Sequence, residues 1–206
     1  MKNKEKNAQQ ETKDKIENDE IVMNVSDDAS FILLGDNTKD DDGMFVNLSN
    51  VSGASASEIL LLGDFTIRGG EGSQTIVGDN GVQDLILGTG DDVAHGGGGN
   101  DKLATLTGDN YLDGGEGNDE LTTGSGKDIL IGGAGDDKLN GGEGLDQANY
   151  VGSYFDFNVE KQLGSYLVED KLDLEGSDTL TDIERVNFED GTLAFDVDGN
   201  AGQTYR

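Results

Sequence analysis

The sequence predicts an all-β fold: a right-handed parallel β-roll, a β-solenoid of nonapeptide repeats, with irregular β caps at both ends. Three observations carry this. Between Gly69 and Asn149 one pattern recurs every nine residues, most plainly in GGGGNDKLA (Gly96–Ala104), GGEGNDELT (Gly114–Thr122), GGAGDDKLN (Gly132–Asn140) and GGEGLDQAN (Gly141–Asn149). Glycine supplies 33 of 206 residues with no proline and no G-X-Y period, which excludes collagen. Apolar runs of strand length, bounded by Asp, Asn, Gly or Ser, flank the repeat on both sides.

Four segments follow in chain order. Residues 1–20 hold five lysines and six acidic residues and almost no apolar side chains, so they read as a disordered tail. They contain no apolar core of a Sec signal peptide, and no stretch of the chain approaches a membrane span. Residues 21–68 alternate aliphatic runs (IVMNV, SFILL, MFVNL, EILLL) with polar turns and read as an N-terminal cap or as irregular solenoid turns. Residues 69–149 are the roll. Residues 150–206 lose the repeat, become more aromatic and alternate apolar with polar residues. They read as an antiparallel cap that covers the open end of the roll, with an Asp190–Gly191 turn joining Phe188 to Leu193.

Within each nonamer glycines open the unit, a carboxylate stands sixth and an aliphatic residue eighth. The sixth positions read Gln74, Asp84, Asp92, Asp101, Asn110, Asp119, Asp128, Asp137 and Asp146. The steps are nine from Asp92 onward, with a compensated ten and eight before it. The eighth positions read Ile76, Ile86, Ala94, Leu103, Leu112, Leu121, Leu130, Leu139 and Ala148. A six-residue turn and a three-residue strand make each nonamer, and two nonamers make one turn of eighteen residues. Leu103 and Leu112 then face each other from opposite walls, with Leu121 and Leu130 stacked in the next turn. Such a core is one side chain deep per wall. It cannot alone offset the ordering of eighteen residues at about 1–2 kcal/mol each.

A bound metal supplies what the core lacks. Gly at positions one, two and four permits positive φ and aims carbonyl oxygens inward. Carbonyls plus one carboxylate form an oxygen-only set that suits Ca²⁺, which takes about six to eight oxygens at 2.3–2.6 Å. Zn²⁺ or Cu²⁺ would call for Cys or His, and the chain has no Cys and a single His, His95, which reads as a surface residue.

The pattern G-G-x-G-x-D-x-U-x resembles the calcium-binding repeat of the RTX, or hemolysin-type, family. The resemblance covers about residues 69–206, because DTLTDIERVNFEDGT (178–192) also looks like the segment that follows the repeats in large secreted RTX proteins. It implies that each Ca²⁺ sits between loops eighteen residues apart, in two columns. The first holds Asp84, Asp101, Asp119 and Asp137, with glycines Gly97, Gly99, Gly115, Gly117, Gly133 and Gly135. The second holds Asp92, Asn110, Asp128 and Asp146, with Gly124, Gly126, Gly142 and Gly144. The second is diluted by Asn110 and by incomplete glycine sets, and Gln74 leaves little for a metal. Three neighbouring pairs per column imply about five or six calcium ions.

The net charge of −29 opposes binding to nucleic acid or anionic membrane. No H-E-x-x-H or G-x-S-x-G occurs, and with one His the chain is expected not to be an enzyme. DVDGNAG (196–202) lacks EF-hand spacing and reads as a turn. The resemblance implies a secreted, extracellular protein exported by type I secretion, with the present chain a module of a longer one. Other roles that it opens are an accessory module of a polysaccharide-acting enzyme similar to mannuronan epimerases, with an acidic polysaccharide as partner, or a segment of an adhesin.

Overall fold

The computed structural model describes residues 20–22, 31–34, 44–47, 57–172, 174–195 and 203–205. The expected tail up to residue 19, the ends of the N-terminal runs and the 196–202 turn lie outside the described residues.

Alternating nonamers send the chain back and forth between two sheets, each of ten strands among the described residues. One sheet runs through Phe65–Arg68, Gln83–Ile86, Lys102–Ala104, Glu120–Thr122 and Lys138–Asn140. The other runs through Gln74–Val77, Val93–Gly98, Tyr111–Glu116, Ile129–Ala134 and Gln147–Asn149. All of these pair in parallel, as a solenoid requires. The inward face of the first wall is a single file of Ile67, Leu85, Leu103, Leu121 and Leu139. Opposite it stand Ile76, Ala94, Leu112, Leu130 and Ala148, and all ten are essentially inaccessible. The period-two alternation of a strand puts the eighth residue inside and the seventh and ninth outside.

Register corrects one part of the sequence reading. Gln83, not Asp84, aligns with Phe65, and Asp84 aligns with Lys102, the seventh position. Leu85, not Ile86, pairs with Leu103 and fills the wall. The steps Gln74, Gln83, Asp92 are therefore nine and nine, and no slip exists. The apparent ten and eight came from following the carboxylate when the spacing pointed to a glutamine.

The ends differ from each other. On the N-terminal side Glu20–Val22, Met44–Asn47 and Phe65–Arg68 pair in parallel in one sheet, and Phe31–Leu34, Ser57–Leu62 and Gln74–Val77 in the other. Partner spacings of 25 (Glu20↔Phe45) and 21 (Met44↔Phe65) precede the regular eighteen, so this segment is built of irregular solenoid turns.

On the C-terminal side the repeat is interrupted and then resumes. Strands Phe157–Lys161 and Tyr166–Asp170 form an antiparallel hairpin, preceded by a 3₁₀ turn at Tyr154–Asp156 that a Ser153 capping box starts. Ser177–Thr181 then pairs in parallel with Lys138–Asn140, placing Leu180 on Leu139, and Arg185–Phe188 places Val186 on Ala148. The segment read as cap thus contains one more coil of the roll. The hairpin of Arg185–Phe188 and Gly191–Ala194 turns at Glu189–Asp190, since Phe188 pairs with Gly191, so the turn is one residue earlier than Asp190–Gly191. Tyr150, Phe157 and Phe188 close the end as an aromatic cluster, with ring centroids 5.0–5.7 Å apart.

Because each wall is one side chain deep, a single truncation removes a whole layer of core. Leu121→Ala should cost about 2–5 kcal/mol in denaturant titrations at saturating calcium. A cost below about 0.5 kcal/mol, the range of a surface site, would contradict a single-file core.

Candidate calcium columns

The sixth residues form two ladders along the roll. In each, one carboxylate oxygen accepts the backbone N–H of the sixth residue one turn earlier. Along the first ladder Asp101 Oδ1 accepts from Gln83 N, Asp119 Oδ1 from Asp101 N, and Asp137 Oδ1 from Asp119 N, each at 2.7 Å. Along the second, Asp92 accepts from Gln74 N, Asn110 from Asp92 N, Asp128 from Asn110 N, and Asp146 from Asp128 N, at 2.8–3.0 Å. The eighteen-residue turn therefore fixes each carboxylate by one oxygen.

The other oxygen is left over. Oδ2 of Asp92, Asp101, Asp119, Asp128, Asp137 and Asp146 is buried and has no hydrogen-bond partner. Buried polar atoms are normally satisfied, so a regular file of orphaned anionic oxygens is a demand for cations. Among the described residues no three His, Cys, Asp or Glu side chains converge as a metal site. Each turn offers one carboxylate per column, and backbone carbonyls must supply the remaining oxygens. A hard cation with about six to eight oxygen ligands fits that donor set, whereas one that prefers nitrogen or sulfur does not.

The glycines clear the space. A Cβ on Gly96 or Gly114 would lie 2.2 Å from the Oδ2 of Asp101 or Asp119, so the first glycine protects the carboxylate's free oxygen. The fourth glycine is needed for conformation as well. Gly117 has φ +128°, and a Cβ there would fall 1.7 Å from the carbonyl oxygen of Gly99. Gly97, Gly99, Gly115, Gly133, Gly135, Gly126, Gly142 and Gly144 share the positive φ. Gly124 does not. It is required because a Cβ would lie 1.9 Å from Leu106 O. The first-position glycines also lack positive φ, so close approach and not handedness explains them.

Of the residues read from sequence, only Asp84 falls outside the ladders. It sits at a seventh position, and the neutral Gln83 occupies the column. Two ladder members were missed. Asp178 Oδ1 accepts Asp137 N at 2.9 Å, and Glu184 Oε2 accepts Asp146 N at 2.8 Å. The signal for the first was present as Gly176-x-Asp178-x-Leu180, the second half of a nonamer. His95 lies on the outer surface beside Asp113, 3.1 Å away, and against the Tyr111 ring.

Burial is the main cause that pushes Asp101 and Asp137 up to about 7 and Asp92 and Asp146 up to about 6, partly opposed by the backbone N–H each accepts. Asp119 is raised for the same reason. With a folded pKa above the unfolded value of 3.8, the metal-free roll binds more protons than the unfolded chain. Its stability is greatest below about pH 4 and falls as pH rises through about 7. In a chelator, circular dichroism should gain β signal as pH is lowered from 8 to 5. In calcium, the same acidification should raise the calcium concentration needed for folding, because protons compete for Oδ2. A chelated chain that loses β signal on acidification would contradict buried, unpaired carboxylates.

Searches of curated proteins and of solved structures gave no match. The family model of the RTX calcium-binding nonapeptide repeat (four copies) matches residues 77–112, 86–121 and 113–148. Those residues are the regular coils whose sixth-position oxygens form the two ladders, and this part of the chain is an RTX calcium-binding repeat β-roll.

Proposed function

We propose that this roll is a calcium-triggered folding module of a protein exported by type I secretion, passing out of the cell unfolded and folding outside it. The observation that carries this reading is the file of buried Oδ2 atoms without partners. In the metal-free roll these carboxylates sit in low dielectric without a counter-charge, and the chain as a whole carries −29. Both effects favour the unfolded state. A divalent ion between successive turns neutralises the buried carboxylates and reduces the net charge, and it can do so only once the turns are stacked. Binding free energy then becomes folding free energy.

Extracellular calcium modules work at about 10⁻⁴–10⁻³ M, which keeps such a chain unfolded at cytosolic calcium and folds it outside. Among the described residues no helix is long and apolar enough to cross a membrane. Within the matched repeats the gaps between ladder members are 101/119 and 119/137 in the first column and 92/110, 110/128 and 128/146 in the second. These account for about five ions, with the 83/101 gap weakened by Gln83.

Circular dichroism in EDTA should show coil, and in millimolar calcium β structure; identical spectra would defeat the proposal. Paired variants separate a ladder carboxylate from the half-buried one beside the ladder. Asp119→Asn removes a charge shared by two gaps and should raise the calcium midpoint of folding at least tenfold. Asp84→Asn should leave it within about twofold, although a reading by carboxylate spacing places it in the same column. Equal effects of the two would mean that net charge, not ladder position, governs binding.

A further inference from the structure

Asp178 lies outside the matched repeats and 41 residues beyond Asp137, yet it continues the first column. Thr179 N donates to Asp137 O at 2.8 Å, just as Lys138 N donates to Asp119 O at 2.9 Å. Gly176, with φ +76°, sits over Gly135 as Gly135 sits over Gly117. Cβ atoms there would fall 2.1 and 1.9 Å from the carbonyl oxygen below. The half-turn that ends at Asp178 begins at Tyr150, nine residues after Gly141, and its N–H donates to Asn187 O at 2.9 Å. Between those two points the chain leaves the roll to form the hairpin.

In the regular coils of the first column the first residue is glycine (Gly96, Gly114, Gly132), where a Cβ would point straight at the sixth-position Oδ2, whereas the second column carries Leu87, Thr105 and Thr123 there. Here that first residue is a tyrosine. Packing against Phe157 and Phe188 holds the ring, and the hydroxyl is brought beside Asp178 and Asp137. Tyr150 Oη, Asp178 Oδ2 and Asp137 Oδ2 are all buried; the hydroxyl lies near enough to the Asp178 carboxylate to interact with it, though not in good hydrogen-bond geometry, and Asp137 Oδ2 has no partner. Tyr150 is 7% exposed and Asp178 1%.

We infer that these three oxygens belong to a terminal calcium site that staples the post-repeat hairpin to the roll. The inference rests on the reading of the columns as calcium sites. Two carboxylates supply the charge, and the neutral hydroxyl closes the end that in other gaps faces a further coil. The ion ties together the two ends of segment 151–177, adding to the packing of Phe157 and Val168 and the hydrogen bonds to Asp190 and Asp136, and so closes a long loop in the folded state. The alternative occupant is a proton, with the hydroxyl and the two carboxylates hydrogen-bonded and no metal.

The test uses the full chain at saturating calcium. Calorimetry should count one ion fewer for Asp178→Asn than for the wild type, with the repeat ions retained. Hydrogen exchange of amides 157–170 should be at least tenfold faster in that variant. With Tb³⁺ as the probe, tyrosine-sensitised emission should fall by more than half in Tyr150→Phe, which keeps the ring packing and carries the test should Asp178→Asn fail to fold. An unchanged ion count with a protected hairpin, or unchanged emission from Tyr150→Phe, overturns the site and assigns the junction to a proton. A wild type that binds no calcium at all refutes the column reading first and this site with it. A wild type that binds at the repeats while Asp178→Asn matches its count refutes the junction site alone.

Discussion

Everything in this molecule depends on an eighteen-residue turn that lays one buried carboxylate over the next. Each carboxylate spends one oxygen on the backbone of the preceding turn, which sets the stacking. The second oxygen cannot reach any donor. The same hydrogen bond that specifies the coil therefore leaves a buried negative oxygen that calls for a counter-charge. Fold and ligand are not separable on this proposal, because the residue that spaces the turns is the residue proposed to bind between them.

The walls could not do this work alone. A file of single aliphatic residues on each side gives the roll its register and lines its axis, but it buries little apolar surface per ordered residue. Glycine at the turns raises the entropy lost on folding. The sequence is weighted toward the unfolded state in its glycine content, its thin core and its charge, and one event, cation binding, offsets all three. That arrangement is what the proposed export of an unfolded chain that folds outside the cell would require.

The nonamer period and the leucine walls were legible in the sequence because they obey fixed spacing, and the parallel solenoid follows from them. Two features were not. Asp84 drew the reading because a carboxylate beside the expected position looks like the expected ligand. The spacing pointed to Gln83, and the inward leucine two residues on, Leu85, decides between them. Asp178 was hidden by the long detour from Tyr150. A parallel coil tolerates an insertion in a turn as long as the chain returns to the same edge, so the period breaks in sequence while persisting in space. The tyrosine at a glycine position was equally invisible until the first-position Cβ direction was known from the neighbouring coils.

The central claim is that the orphaned sixth-position oxygens face cations. Anomalous diffraction from crystals grown in calcium, or with a lanthanide in its place, tests it most directly. The account predicts peaks in file along the roll between successive ladder residues, such as Asp101 and Asp119 or Asp128 and Asp146. Peaks confined to surface carboxylates such as Asp91 and Asp113, with none between the turns, would contradict it.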